Sequence, residues 1–148
     1  MQALLRSSRI WLALIFLAVS AQLSAASAQS APATELAWQK VITQQIQAFR
    51  DRDAKVALSF AGAAFQTRFS SPEEFFAVIM GSGYAPIMES QSHSFGLFQK
   101  IDDRTVAQLV RLVGVDQKLF EAVYVMGEEM VGWRVQGVRL AYSGGVGI

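Results

Sequence analysis

Apolar residues after position 34 recur at helical spacing before they recur at strand spacing. Leu36, Trp38, Val41, Ile42, Ile46 and Phe49 fall on one face of a helix over about 35–50. Thr34 is its expected N-cap, with Glu35 in the first turn. Arg50-Asp51-Arg52-Asp53 ends it with exposed charge. Asp53 can cap a second helix from Ala54, in which Val56 and Phe60 stand four apart. Gly62 breaks or bends that segment, and Phe65 and Phe69 suit a further helical turn. Ser71-Pro72-Glu73-Glu74 is a helix start: a cap, a proline at the first position and two acids at the positive end of the dipole. Phe75, Phe76, Ile79 and Met80 form the apolar face of this helix. Gly81 and Gly83 end it, and Tyr84-Ala85-Pro86 is expected to begin a loop.

From about Phe95 the period changes. Four runs read as strands, at about 94–101, 104–115, 118–127 and 130–142. Asp102-Asp103, Asp116-Gln117 and Gly127-Glu128-Glu129 supply the turns between them. Such short connections make neighbours antiparallel. The order predicts an α+β domain, with N-terminal helices packed on a curved four-stranded antiparallel sheet. Both faces of the middle strands are mostly apolar. Leu119, Val123 and Val125 oppose Phe120, Ala122, Tyr124 and Met126; Ala107, Leu109, Val113 and Val115 oppose Val106, Val110 and Leu112. A sheet with one wet face alternates more cleanly. The second face therefore packs on another subunit or lines a pocket. In the last strand Val131, Trp133 and Val135 share a parity that Val138 and Leu140 do not, so a bulge is expected at Gln136-Gly137.

The first 28 residues follow a different rule. Arg6 and Arg9 precede an uninterrupted apolar run of ten, Ile10 to Val19, and Ala26-Ser27-Ala28 follows. This is the layout of a secretory signal peptide, with export and cleavage near Ala28 expected. The alternative is an uncleaved anchor, for which the run is short and diluted by Ser20, Gln22 and Ser24. The uncleaved segment is the one membrane contact that the sequence suggests. The reading divides the chain into a signal peptide (1–28), a short tail (29–33), one domain (34–142) and a C-terminal tail (143–148). The product would be periplasmic or secreted.

The whole chain has 148 residues, 52% hydrophobic and 17% charged, which excludes a disordered chain. Its net charge of +1 gives no basic field for a nucleic-acid partner. Cleavage would remove two of thirteen basic residues, leaving eleven against twelve acidic ones. That near-neutral chain has little colloidal repulsion. With no Cys and one His, most zinc or copper chemistry is disfavoured, and neither a metal nor a cofactor is expected.

Val41-Ile42, Gln45-Ile46, Ala48-Phe49-Arg50 and Phe60-Ala61 carry a resemblance, as do Phe65-Gln66, Phe75 and Tyr84-Ala85-Pro86. Ala122-Val123-Tyr124, Gly132-Trp133-Arg134-Val135 and Gly137-Val138 extend it to the end of the domain. The chain resembles an exported bacterial family of unknown function, domain-of-unknown-function family 4864. The layout is also similar to the nuclear-transport-factor-2-like, or cystatin-like, superfamily. That likeness implies a cone between helices and sheet, and a range of roles from isomerases and dehydratases to non-catalytic binding domains. It brings no catalytic residue with it.

Candidate chemistry is sparse. Enzymes of that superfamily place an acid or a histidine base, with a tyrosine or another donor, inside the cone. His93 lies in a polar stretch at the start of a strand and reads as an exposed loop or edge histidine. Asp116 reads as a turn residue. Tyr84, Tyr124 and Arg134, with Trp133, are the candidate ligand-binding residues. The tyrosines are equally suited to amphipathic core packing. Arg134 could take a carboxylate bidentately or pair with Glu121 or Glu128. Trp38, Trp133 and the phenylalanines suit either a core or an apolar pocket. No nucleophile elbow, phosphate loop or zinc spacing is present in the chain. The expected function is a non-catalytic binding or interaction module, with a homodimer through the sheet and a small apolar or acidic ligand as partners. The alternative is a cofactor-free isomerase or lyase using Tyr84, Tyr124 and Arg134. A third reading is a subunit that works beside another envelope protein.

Overall fold

The computed structural model describes residues 35–142. The expected signal peptide, both tails and the Thr34 cap lie outside the described residues. Helix α1 (Ala37–Arg50) buries Ile42, Gln45, Ile46, Ala48 and Phe49. It starts later than the sequence suggests. Leu36 is still extended, and its N–H is satisfied by Gln39 Oε1 at 3.0 Å. Helix α2 (Ala54–Ser59) is capped by Asp53, whose Oδ1 accepts from Val56 N–H at 2.9 Å. Gly62 separates it from α3 (Ala63–Arg68). The link between them pairs with the sheet: Val135 N–H donates to Phe60 O at 2.9 Å, and Gly62 N–H donates to Val135 O at 2.8 Å. Helix α4 (Pro72–Ile79) begins as its sequence dictates, with Ser71 Oγ accepting from Glu74 N–H at 3.1 Å.

The chain then departs from the expected loop. A wide turn over Met80–Tyr84 leads directly into a short helix α5 (Ala85–Met88). Gly83 makes this reversal with φ of 90°, a conformation that costs glycine nothing. Pro86 lies in the first turn of α5, where its missing N–H has no helical partner to lose.

Strands β1 (Ser90–Asp102), β2 (Thr105–Gly114), β3 (Leu119–Glu129) and β4 (Gly132–Tyr142) form an antiparallel meander in the order β1-β2-β3-β4. The fold is α+β, with N-terminal helices packed against an open four-stranded sheet. β1 starts earlier than expected and places His93 opposite Leu112 on the helix-facing side. β3 runs on to Glu129, so the last turn falls at Met130-Val131 and not at Gly127-Glu128-Glu129. Gly132, with φ of 106°, closes that turn. The expected β4 bulge is present: Val125 pairs with Gly137 and Met126 with Val135, which leaves Gln136 unpaired. β1 has three further irregularities, between Ser90 and Ser92, Phe95 and Phe98, and Lys100 and Asp102.

One sheet face meets the helices. Val110, Leu112, Ala122, Tyr124 and Met126 are fully buried there against Ile42 and Ile46. The other face is open among the described residues. Arg111 pairs with Glu121 across it at 3.4 Å, with the partly exposed Val123 and Leu119 close by in the ladder.

Candidate functional site

Packing between helices and sheet leaves a gap. A cavity of about 300 Å³ opens there, at the small end of the range for ligand pockets. Its aromatic walls are Phe49 from α1, Phe65 from α3, Phe69 from the loop after it, and Phe75 from α4. Tyr124 from β3 and Val135 and Val138 from β4 form the sheet side. The exposed Arg68, Val78 and Ser82 mark its open side. Its shape follows from local sequence. The Phe60–Gly62 link holds α2 and α3 against β4, and the Gly83 turn brings Tyr84 back over Val138.

The two tyrosines differ. Tyr84 is half-buried, and its hydroxyl donates to Val138 O at 2.8 Å, so it pins the turn to β4. Tyr124 is completely buried, and its hydroxyl has no hydrogen-bond partner among the described residues. Burial pushes its pKa up, against a smaller opposing pull from the charge of Arg50. Tyr124 therefore stays protonated and acts as a hydrogen-bond donor, not a base. Phenylalanine at this position removes a desolvated hydroxyl and little volume. Tyr124→Phe is expected to stabilise the ligand-free protein by about 1 kcal/mol, measured by urea denaturation. A loss of stability would mean that the hydroxyl has a partner.

The other two candidates lie elsewhere. Trp133 packs edge-on against Trp38, with ring centroids 5.3 Å apart, and Trp38 in turn meets Phe98 at 5.1 Å. Arg134 stands opposite Gly127, with Nη1 donating to Trp133 O at 2.8 Å. Among the described residues it forms no ion pair, Glu121 pairs with Arg111, and the Arg134 Nε is buried without a partner.

Sequence reasoning missed Gln45, Arg50 and Arg68. Gln45 is buried in the cavity wall and donates to Ala57 O at 3.0 Å. Arg50, read as exposed charge, is half-buried. Its Nη2 donates to Ser90 Oγ at 2.9 Å, its Nε is buried without a partner, and burial lowers its pKa. The signal for Gln45 and Arg50 was helical spacing, which sets Gln45 three residues after Ile42 and Arg50 four after Ile46.

His93 is half-buried, not exposed. Its Nε2 lies 3.1 Å from Thr43 Oγ1, which donates to Glu35 Oε1 at 2.6 Å. Burial holds its pKa below the ordinary 6.5; the charge of Arg50 acts in the same direction and Glu35 against it. The unfolded chain thus takes up this proton first as pH falls. Stability is expected to be full above pH 6.5 and to fall below it until the folded-state pKa is passed. His93→Gln should flatten that part of a profile of Tm against pH. An unchanged profile would assign the step to another group.

No group of three or more His, Asp or Glu that could hold a metal occurs among the described residues. None of their helices is long and apolar enough to cross a membrane. The geometry defines a small α+β domain with a ligand-sized aromatic cavity whose wall, among the described residues, contains no carboxylate and no histidine. A family model for a domain of unknown function (DUF4864) matches residues 31–147, and the chain belongs to that family. No curated protein matches the chain.

Proposed function

We propose that the domain is a binding module that holds a small, mostly apolar ligand in the cavity between helices and sheet. The observation that carries this reading is the aromatic cavity of about 300 Å³ beside a buried, unpartnered Tyr124 hydroxyl. An apolar wall with few polar groups is the usual build of a ligand site. At the volume of a water molecule per atom, the space suits about ten non-hydrogen atoms. Isomerase or lyase chemistry needs a group poised to exchange protons. The wall offers two tyrosines and Arg68, one tyrosine hydroxyl engaged and the other with its proton held tightly. Binding is therefore favoured over catalysis. The bulged sheet beneath the helices also supports the likeness to nuclear-transport-factor-2-like cones.

The charged, apolar and small-residue order of the first 28 residues supports export, with cleavage near Ala28 and action in the periplasm or outside the cell. Native mass spectrometry of protein exported on its own leader tests both points. The expected mass is that of a chain starting at Gln29, plus a small bound molecule. An uncleaved chain contradicts export with cleavage. A bare chain that also takes up no added octan-1-ol contradicts the binding reading.

The partner best suited to the open sheet face is a second copy. Leu119 is 49% exposed and Val123 39%. The adjacent Arg111–Glu121 pair presents both signs of charge, so two such faces are self-complementary in antiparallel stacking. Sedimentation is expected to give a dimer that Val123→Glu converts to a monomer. A monomer at every concentration contradicts it.

A further inference from the structure

Two buried polar atoms without partners lie near one another, one on a residue of the cavity wall and the other on a residue just outside that lining. One is the Tyr124 hydroxyl and the other is Arg50 Nε. The charge of Arg50 is felt at the Tyr124 hydroxyl, so the two groups lie close together. Arg50 forms no ion pair among the described residues. Asp51 influences it electrostatically but is exposed and makes no such contact. Ser90 Oγ engages one guanidinium nitrogen and leaves the positive charge uncompensated. Arg50 Nε can only donate and the Tyr124 hydroxyl has a proton to donate, so a negatively charged acceptor would serve both. Unpaired buried polar groups are costly, and a native structure that keeps two together has a use for them. A carboxylate carries about four acceptor sites and one negative charge, which meets both needs at once.

We infer that the ligand of this cavity is a small monocarboxylate, held with its acid group inward at the Tyr124 hydroxyl, where the charge of Arg50 attracts it, and its apolar body among Phe49, Phe65 and Phe75. The inference rests on the cavity being a ligand site, as proposed above. Arg68 is the competing anchor. It lies at the exposed rim with its guanidinium carbon 5.8 Å from the Phe69 ring centroid, where water screens its charge.

Calorimetric titration of the purified protein with octanoate and with octan-1-ol separates these readings. Octanoate has ten non-hydrogen atoms, and octan-1-ol offers nearly the same body without the charge. Octanoate is expected to bind about tenfold or more tightly than octan-1-ol, as one charge-assisted anchor would give. Tyr124→Phe and Arg50→Gln should each weaken octanoate about tenfold, and Arg50→Gln should leave octan-1-ol within about twofold. Cooperative urea unfolding shows that the variants are folded, and Arg50→Lys should keep most of the preference for the acid. Equal binding of the two probes to the unaltered protein overturns the carboxylate assignment and leaves the cavity as a ligand site. Loss of octanoate binding in Arg68→Ala with Arg50→Gln unaffected places the acid at the rim, and also overturns it. Failure of both probes to bind overturns this inference and the cavity reading together.

Discussion

Replacing Gln108 by leucine is expected to cost about 3 kcal/mol of stability. Gln108 is fully buried in β2, among apolar neighbours. Its Oε1 accepts from Trp38 Nε1 at 3.1 Å and from Gln39 Nε2 at 3.0 Å. Its Nε2 donates to Gly96 O at 3.0 Å and to Leu109 O at 2.9 Å. One amide thus ties the start of α1 to the irregular stretch of β1. Leucine matches the volume and supplies none of these bonds. It leaves the Trp38 indole N–H and the Gly96 carbonyl without their partner, each at about 1–3 kcal/mol if water does not reach it. Urea denaturation with an unchanged m-value measures the loss. A loss under about 1 kcal/mol would mean that water replaces the amide.

Phe75→Ala is expected to have a similar or larger effect, about 3–5 kcal/mol. Phe75 is 2% exposed, and its ring lies 5.4 Å from Phe69, 6.1 Å from Phe49 and 6.2 Å from Phe65. It joins α1, α3 and α4, and it also forms part of the cavity wall. Truncation removes those contacts and adds empty volume to a space that is already open. The surrounding side chains have little to collapse onto, which puts the loss toward the upper part of that range. Phe76, which meets Phe49 alone among these rings at 5.8 Å and is partly exposed, should lose clearly less as Phe76→Ala. Equal losses for the two would show that the cavity wall is not where the helices are held.

Much of the scaffold was legible because it depends on local chemistry. The Ile42–Ile46–Phe49 stripe, the Asp53 and Ser71 caps, the break at Gly62 and the phase change at Gln136 each follow from a few adjacent residues. Helix α5 did not, because its start coincides with glycines and a proline that also signal a loop. Only the packing of Ile87 and the Tyr84 bond to Val138 O select the helical turn. β1 begins at Ser90 because Gly114 and Val113 provide ladder partners, and a polar run such as Gln91-Ser92-His93-Ser94 gives no hint of them. His93 was therefore read as exposed.

The site was less legible than the scaffold. Tyr84 and Tyr124 do line one cavity, but Trp133 shares its inward parity with Val135 and still lies with Trp38, in a different cluster. Parity says which face a side chain takes, not which end of the cone. Gln45, Arg50 and Gln108 are polar groups on buried stripes, and polarity alone reads as exposure. Their roles rest on partners far away in sequence: Ser90 for Arg50, Trp38 and Gly96 for Gln108.

Methyl NMR of the protein titrated with octan-1-ol tests directly whether the cavity binds a ligand. This uncharged probe does not depend on how an acid group is held. The expected result is saturable shifts of Ile79, Ile87, Val135 and Val138, which line the cavity, with Leu97, Leu119 and Val123 on β1 and β3 unmoved. Shifts confined to Leu97, Leu119 and Val123, or no saturable shift at the cavity methyls, would contradict a ligand site between helices and sheet.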